Sequence, residues 1–436
     1  MIRLTVLRHR TARGRHRVNR DGYLYVGVML VAMIVGLIGL TSAHVGRLHL
    51  RSAIDASSAG QAAALASSAI EYALATIQND DSWRTTYQDD TEYPATPMSM
   101  NGGTWTWKLV DVDGDLNDDD SDFVRIVGIG RDAGSTIVLS LTAYPTGAPL
   151  PVMDYALHSD GTITFDPGLT VTTDRSISSN GWINGPPSSS IVGNAVATLG
   201  LPLPVTGNAT FGVAARRMPG SSVFDYYQTR GTSIAVTALP LSGGARVLEQ
   251  TVLSPASNVY GSRNAGGIYI IDCQALTVHI RDCRIAGTLL LLNAGAGSSV
   301  SDSVVWEPIL PGFPALLVSG SLTLNLSNAV LNETTLNTNF NPTGTPYLGE
   351  SDNDTVDIYP TGISGGVYVS GNLTVAPTAV STMTTGTVIV GGVTAMQSSA
   401  VFSYDATSST YPPPGFASGN PMKPMPGSLQ RVPVSP

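Results

Sequence analysis

The first pattern along the chain is an uncharged run, Tyr23 to Ala43 ("YLYVGVMLVAMIVGLIGLTSA"), with arginines on both sides at Arg20 and Arg47. As an α-helix it covers about 30 Å, one hydrocarbon core. The apolar part of a secretory signal is shorter, about 7–15 residues, so a retained transmembrane helix is expected over residues 23–43. Cleavage after Ala43, where "LTSA" offers small residues to a signal peptidase, ranks below retention. The helical pattern then continues past the membrane. Ala66, Ala69, Ile70, Ala73, Leu74 and Ile77 recur at three- and four-residue steps and mark one apolar face, and Asn79, Asp80 and Asp81 close it. Residues 44–80 thus read as an amphipathic extension of the same helix, about 80 Å long in all.

Beyond it the period changes from helical to alternating. Trp105, Trp107, Leu109 and Asp111 alternate with Thr106, Lys108 and Val110, and "FVRIVGIG" and "STIVLSLTAY" follow in the same manner. Residues 101–146 are expected to form three antiparallel strands, with an acidic loop after the first, packed on the helix. From Leu150 short apolar runs arrive in series, among them "GTITF", "LTVHI", "SLTLNL" and "TGTVIV", separated by turn-forming residues. "AGGIYIIDCQALTVHI" and "SGGVYVSGNLTVAPTAV" echo each other without a strict period. The expectation for residues 150–405 is an irregular β-solenoid, in which stacked rungs bury valines that isolated hairpins cannot. A β-sandwich is the alternative. Residues 194–231 read as an insertion, and the proline-rich residues 406–436 as a disordered tail. The fold class is therefore mainly β with one long N-terminal helix.

Composition adds an address. Charged residues are 13% of the chain, low for a soluble enzyme, while 46 glycines and 28 prolines suit many short strands and tight turns. Residues 1–22 hold seven arginines and one acid, about +6, in a chain of net charge −9, so the remainder carries −15. The positive-inside rule keeps such a basic leader in the cytoplasm and places the acidic bulk across the membrane, periplasmic or extracellular. A basic nucleic-acid arm is disfavoured because the apolar run begins at once.

Candidate chemistry is sparse. In "DVDGDLNDDDSD" the oxygens of Asp111, Asp113 and Asp115 stand two apart, and Asp122 is twelfth. This is a candidate calcium loop, but the glycine is fourth rather than sixth and no bidentate glutamate closes it, so it is not an EF-hand; a solvated turn is the other reading. Cys273 and Cys283 are a candidate disulfide in an exported domain, or two small buried hydrophobes. His158 and His279 stand alone, and no P-loop, nucleophile elbow or histidine zinc spacing is present. Asp272, Arg281, Asp282 and Arg284 could be gathered as in polysaccharide-cleaving solenoids, yet they also explain themselves as turn residues beside strands. No catalytic site, and no cofactor besides candidate calcium, is expected.

A basic leader ending in "NRDG", an apolar helix beginning "YLYVGVMLVAM", an alanine-rich extension and a small β-domain together resemble the type IV pilin-like proteins. The likeness is to the minor pilin and pseudopilin group with a PilX-type N-terminal region, over about residues 15–145. It implies processing between Gly22 and Tyr23 by a prepilin peptidase. The sequence departs from the usual pattern at the fifth mature position, Gly27, where most pilins carry glutamate. The resemblance implies a membrane-anchored structural subunit that meets other pilin-like subunits or envelope proteins in assembly or adhesion. The alternative from another class is a surface carbohydrate-binding or carbohydrate-cleaving solenoid on a simple anchor. The third is a secreted protein that begins at His44.

Overall fold

The computed structural model describes residues 21–111, 113–377 and 382–433. The basic leader expected over residues 1–22 lies outside the described residues up to Arg20.

Helix α1 (Asp21–Asn79) is unbroken for 59 residues, about 88 Å of rise. Residues 23–57 are exposed all round, and burial begins at Ser58. Among the described residues α1 is the one helix long and apolar enough to cross a membrane. Its distal half buries Ala62, Leu65, Ala66, Ala69, Ile70, Ala73 and Ile77, the face that the three- and four-residue spacing marks out.

That face lies on an antiparallel sheet, β1 (Tyr93–Met100), β2 (Gly103–Val110), β3 (Val124–Asp132) and β4 (Ser135–Pro145), paired in that order. Trp105, Trp107 and Leu109 point from β2 into the helix. β3 approaches closest, because Gly128 and Gly130 present bare backbone to the alanines. A Cβ at Gly128 would sit 2.1 Å from the Ala66 carbonyl oxygen, and one at Gly130 2.0 Å from that of Ala62.

Two findings differ from the sequence reading of this unit. β1 was not expected; it carries Pro94 and Pro97 and is bulged between Tyr93 and Met98, which an edge strand tolerates because its outer side needs no donors. The expected disordered tail also returns to the sheet. Met422–Pro424 and Gln430–Val432 both pair antiparallel with β4, and Met422 is buried in the same core. The prolines fall where no ladder donor is required, so the tail is folded through Val432. Everything between β4 and Met422 is thus inserted in the loop of this sheet.

The inserted part is a large, mostly parallel sheet of many short strands. Short strands stack in parallel register, so that Tyr269, Leu289, Leu316, Val367, Val388, Leu157 and Ile177 form one continuous inward column. Ile280, Val300, Leu324, Val375, Met396 and Phe165 form a second. All are buried in one shared core. The two echoing segments supply strands Ile268–Asp272 and Gly366–Val369 to the first face of this stack, and the second face takes Val278–Ala286 and Leu373–Val375. Parallel ladders of this kind do not occur in a sandwich of antiparallel strands, so that alternative does not describe the chain.

The stacking order is not the chain order. Leu157–Ser159 pairs with Val388–Val390, so the first strands of the region extend the stack beyond the last. After Ala209–Phe211 the chain doubles back through a short helix, Val223–Arg230, to Thr232–Ser233 at the other end, where it pairs with Ile268–Asp272. Residues 194–231 are therefore partly stack and partly return path, not wholly an insertion. The return helix fills the groove between stack and head: Tyr226 meets Tyr144 at 5.4 Å between ring centroids and Phe224 meets Tyr368 at 5.8 Å. Phe123 and Tyr144 of the head share one core with Leu290, Leu317 and Ile389 of the stack.

Candidate functional site

The stalk end is the first place to look. Tyr23, the expected mature N-terminus, is 81% exposed within α1. Gly22 belongs to the helix backbone as well, and the leader that would complete a processing site lies outside the described residues. Gly27 has no atom within 4 Å of where a Cβ would stand, so the departure from glutamate there leaves no gap in the fold.

The acidic loop after β2 is built differently from its linear spacing. Asp113 and Asp115 spend an oxygen each on local turns, accepting from the Asp115 and Asn117 amides at 3.1 Å. Asp119 accepts from both the amide and the hydroxyl of Ser121. The carboxylates that converge are Asp111, Asp118 and Asp122, with one oxygen of each within 4.8 Å of the others. Of the four residues proposed from the sequence, the fold brings Asp111 and Asp122 together, leaves Asp113 and Asp115 on the turns, and adds Asp118. Spacing two apart cannot show this, because each turn redirects its side chain.

Arg84, from the short helix α2 (Trp83–Thr86), closes the loop from the other side. Its guanidinium donates to the Asp122 carbonyl at 2.7 Å and the Leu116 carbonyl at 3.2 Å, and stands 3.8 Å from Asp111 Oδ2. Arg217, on the return path, pairs with Asp119 at 3.4 Å and with Asp120. Partial burial, with Asp119, Asp111 and Asp113 nearby, pushes the Asp122 carboxyl up to about 7. Burial in turn holds Arg84 below its ordinary value. Asp111, Asp118 and Asp122 are the donor set that could hold a hard divalent cation, and Asp122 must first give up its proton. Arg84 and Arg217 already supply counter-charge. Neither was singled out in the sequence, where an isolated arginine carries no signal of its partner.

Cys273 and Cys283 correct the disulfide expectation. Both are buried free thiols in the main core. Burial pushes the Cys273 thiol up to about 12 and that of Cys283 higher still. They take the reading of small apolar side chains. His158 is wholly buried, neither ring nitrogen has a hydrogen-bond partner among the described residues, and burial, aided by Arg216, pulls it down to about 3. His279 shares a 2.8 Å hydrogen bond with Ser299 on the next level.

Each of the four charged residues weighed as a hydrolase set is engaged with a partner of its own, Asp282 accepting from the Ser303 amide at 3.3 Å. Arg284 is 1% exposed and donates to the carbonyls of Phe340, Thr345 and Pro346 and to Glu307 Oε1. It pins the excursion of residues 327–361 to the stack. Buried Glu333 holds that excursion from within, accepting from the Phe340 and Asp357 amides and the Tyr359 hydroxyl. Arg281 pairs with Glu249 at 2.8 Å, and Asp272 accepts from Asn293 and the Gln274 amide. These contacts are structural.

No family model matches the chain, and no curated protein matches it either. Among solved structures, one similar chain is the competence-associated pilin ComZ from Thermus thermophilus, at 10% identity and a TM-score of 0.32, covering 86% of this chain and 97% of that one. Another is an ice binding protein from an Antarctic biological consortium, at 11% identity and a TM-score of 0.22, covering 59% of this chain and 92% of that one.

Proposed function

We propose that the chain is a membrane-anchored, pilin-like structural subunit that carries a β-solenoid outside the cytoplasm for envelope assembly or adhesion. The observation that carries this reading is the division of α1. Residues 23–57 are bare on every side while the same unbroken helix becomes the core of the head from Ser58 onward. A simple anchor needs only the first twenty or so residues in lipid. The further exposed turns, with Leu48 and Ile54 each more than half exposed, ask for neighbours outside the bilayer, which other pilin-like subunits would supply. The parallel stack fits a solenoid with the return path packed along its flank against the head, and its insertion between β4 and Met422 ties it to the stalk. The role is structural rather than catalytic, since the titratable residues of the stack serve to hold its loops.

Mass spectrometry of the mature N-terminus, from cells with and without a prepilin peptidase, tests the reading. A chain beginning at Tyr23 only when the peptidase is present is the expected result. An intact leader in both strains removes the pilin-machinery part, and a soluble form beginning at His44 replaces it with secretion.

A further inference from the structure

One outward face of the stack carries no charge along most of its length. The outward positions Thr323, Thr374, Ala395, Thr164 and Asn184 follow one another in register on successive levels, about 4.8 Å apart. Beside this row, at the end nearest Asn184, stands Trp182, which is 46% exposed. Its partner in register is Gly200, and a Cβ there would sit 2.2 Å from the indole. The ring is therefore braced against bare backbone while close to half of the side chain stays open to solvent. Its amide is 3.5 Å from the Thr162 hydroxyl on the level below. Val393, 45% exposed, lies two residues before Ala395 on the same side of the ladder.

The chemistry of this face selects its ligand. An extended peptide adds to an unpaired strand edge, whereas this row lies on a face of the ladder, and its strands from Leu322–Leu326 to Ile163–Phe165 are paired on both sides. A nucleic acid or acidic polymer needs a track of cations, and the row has none. Sugar rings offer hydroxyls for the threonine and asparagine ladder and apolar C–H faces for the indole. We propose that this face binds a neutral polysaccharide, with Trp182 as the stacking platform and Thr374, Thr164 and Asn184 of the row as its hydrogen-bonding groups. The proposal stands on the stack alone and holds whether or not the chain enters a filament.

Full-length protein in detergent, incubated with insoluble cellulose, chitin and heparin-agarose, provides the test. Retention on cellulose or chitin, and not on heparin, is expected. Trp182→Ala and, independently, Thr164→Asp should each weaken that retention about tenfold, with the melting temperature of Thr164→Asp unchanged. Thr164 is exposed, so its variant keeps the test valid if loss of the indole disturbs Gly200. Passage of the wild type through both polysaccharides, equal retention of both variants, capture by heparin alone, or adsorption to ice crystals instead of polysaccharide would each overturn the proposal.

Discussion

His158 shows most plainly what a single side chain contributes here. Its ring is neutral in the fold and is held down to about 3, against an ordinary value of 6.5. The unfolded chain therefore takes up a proton below pH 6.5 that the fold refuses, and stability is lost as pH falls from 6.5 toward 3. The slope from this residue approaches about 1.4 kcal/mol per pH unit within that window. Urea titrations of wild type and His158→Leu between pH 7 and pH 4 should show this part of the slope missing from the variant. Asp122 acts in the opposite sense. Its folded value is raised from 3.8 to about 7, so its contribution is lost as pH rises through that interval. Asp122→Asn should flatten the decline when melting temperature is followed from pH 5 to pH 8. Arg84 opposes the same crowding, and Arg84→Ala, by leaving two carbonyls and Asp111 without it, should cost about 3 kcal/mol in urea denaturation. At this scale the sequence announces an acidic loop but not its members. The turn hydrogen bonds of Asp113 and Asp115 and the arrival of Arg84 depend on backbone geometry that linear spacing does not carry.

Among the elements, α1 is the most legible, because its apolar positions keep the helical period from Ala62 to Ile77. What the period does not tell is that the partner strand must be almost bare. Gly128→Ala places a methyl against the Ala66 carbonyl and should cost at least about 2 kcal/mol. Gly60→Ala, on the same helix with nothing within 4 Å, should stabilise by up to about 1 kcal/mol. Chemical denaturation of the pair separates close contact from helix propensity. β1 and the two C-terminal strands were illegible for a shared reason. Proline within a short polar stretch reads as a breaker, and only an edge position, or a pairing made across nearly 280 residues of sequence as between Pro145 and Met422, makes it tolerable. A chain ending at Ser418 leaves the outer edge of β4 unpaired and removes Met422 from the core, so limited proteolysis should cut its head at concentrations of protease that spare the full chain.

For the molecule as a whole, the rungs could be read from turn residues and valine runs, but their order could not. Each strand is apolar enough to stack on several others, and the sequence does not say that Leu157 belongs beside Val388. The shared core of Phe123, Tyr144, the return helix and Leu317 then makes head and stack one body on one stalk. The account depends on that stalk being continuous from lipid to head. Spin labels at the exposed residues 39 and 57, in a chain whose two cysteines are replaced by alanine and which is reconstituted in bilayers, measure it directly by pulsed dipolar spectroscopy. A single narrow distance near 27 Å, 18 residues of helical rise, is the predicted result. A broad or markedly shorter distribution would mean that the helix breaks at the membrane surface, contradicting both the architecture and the role proposed from it.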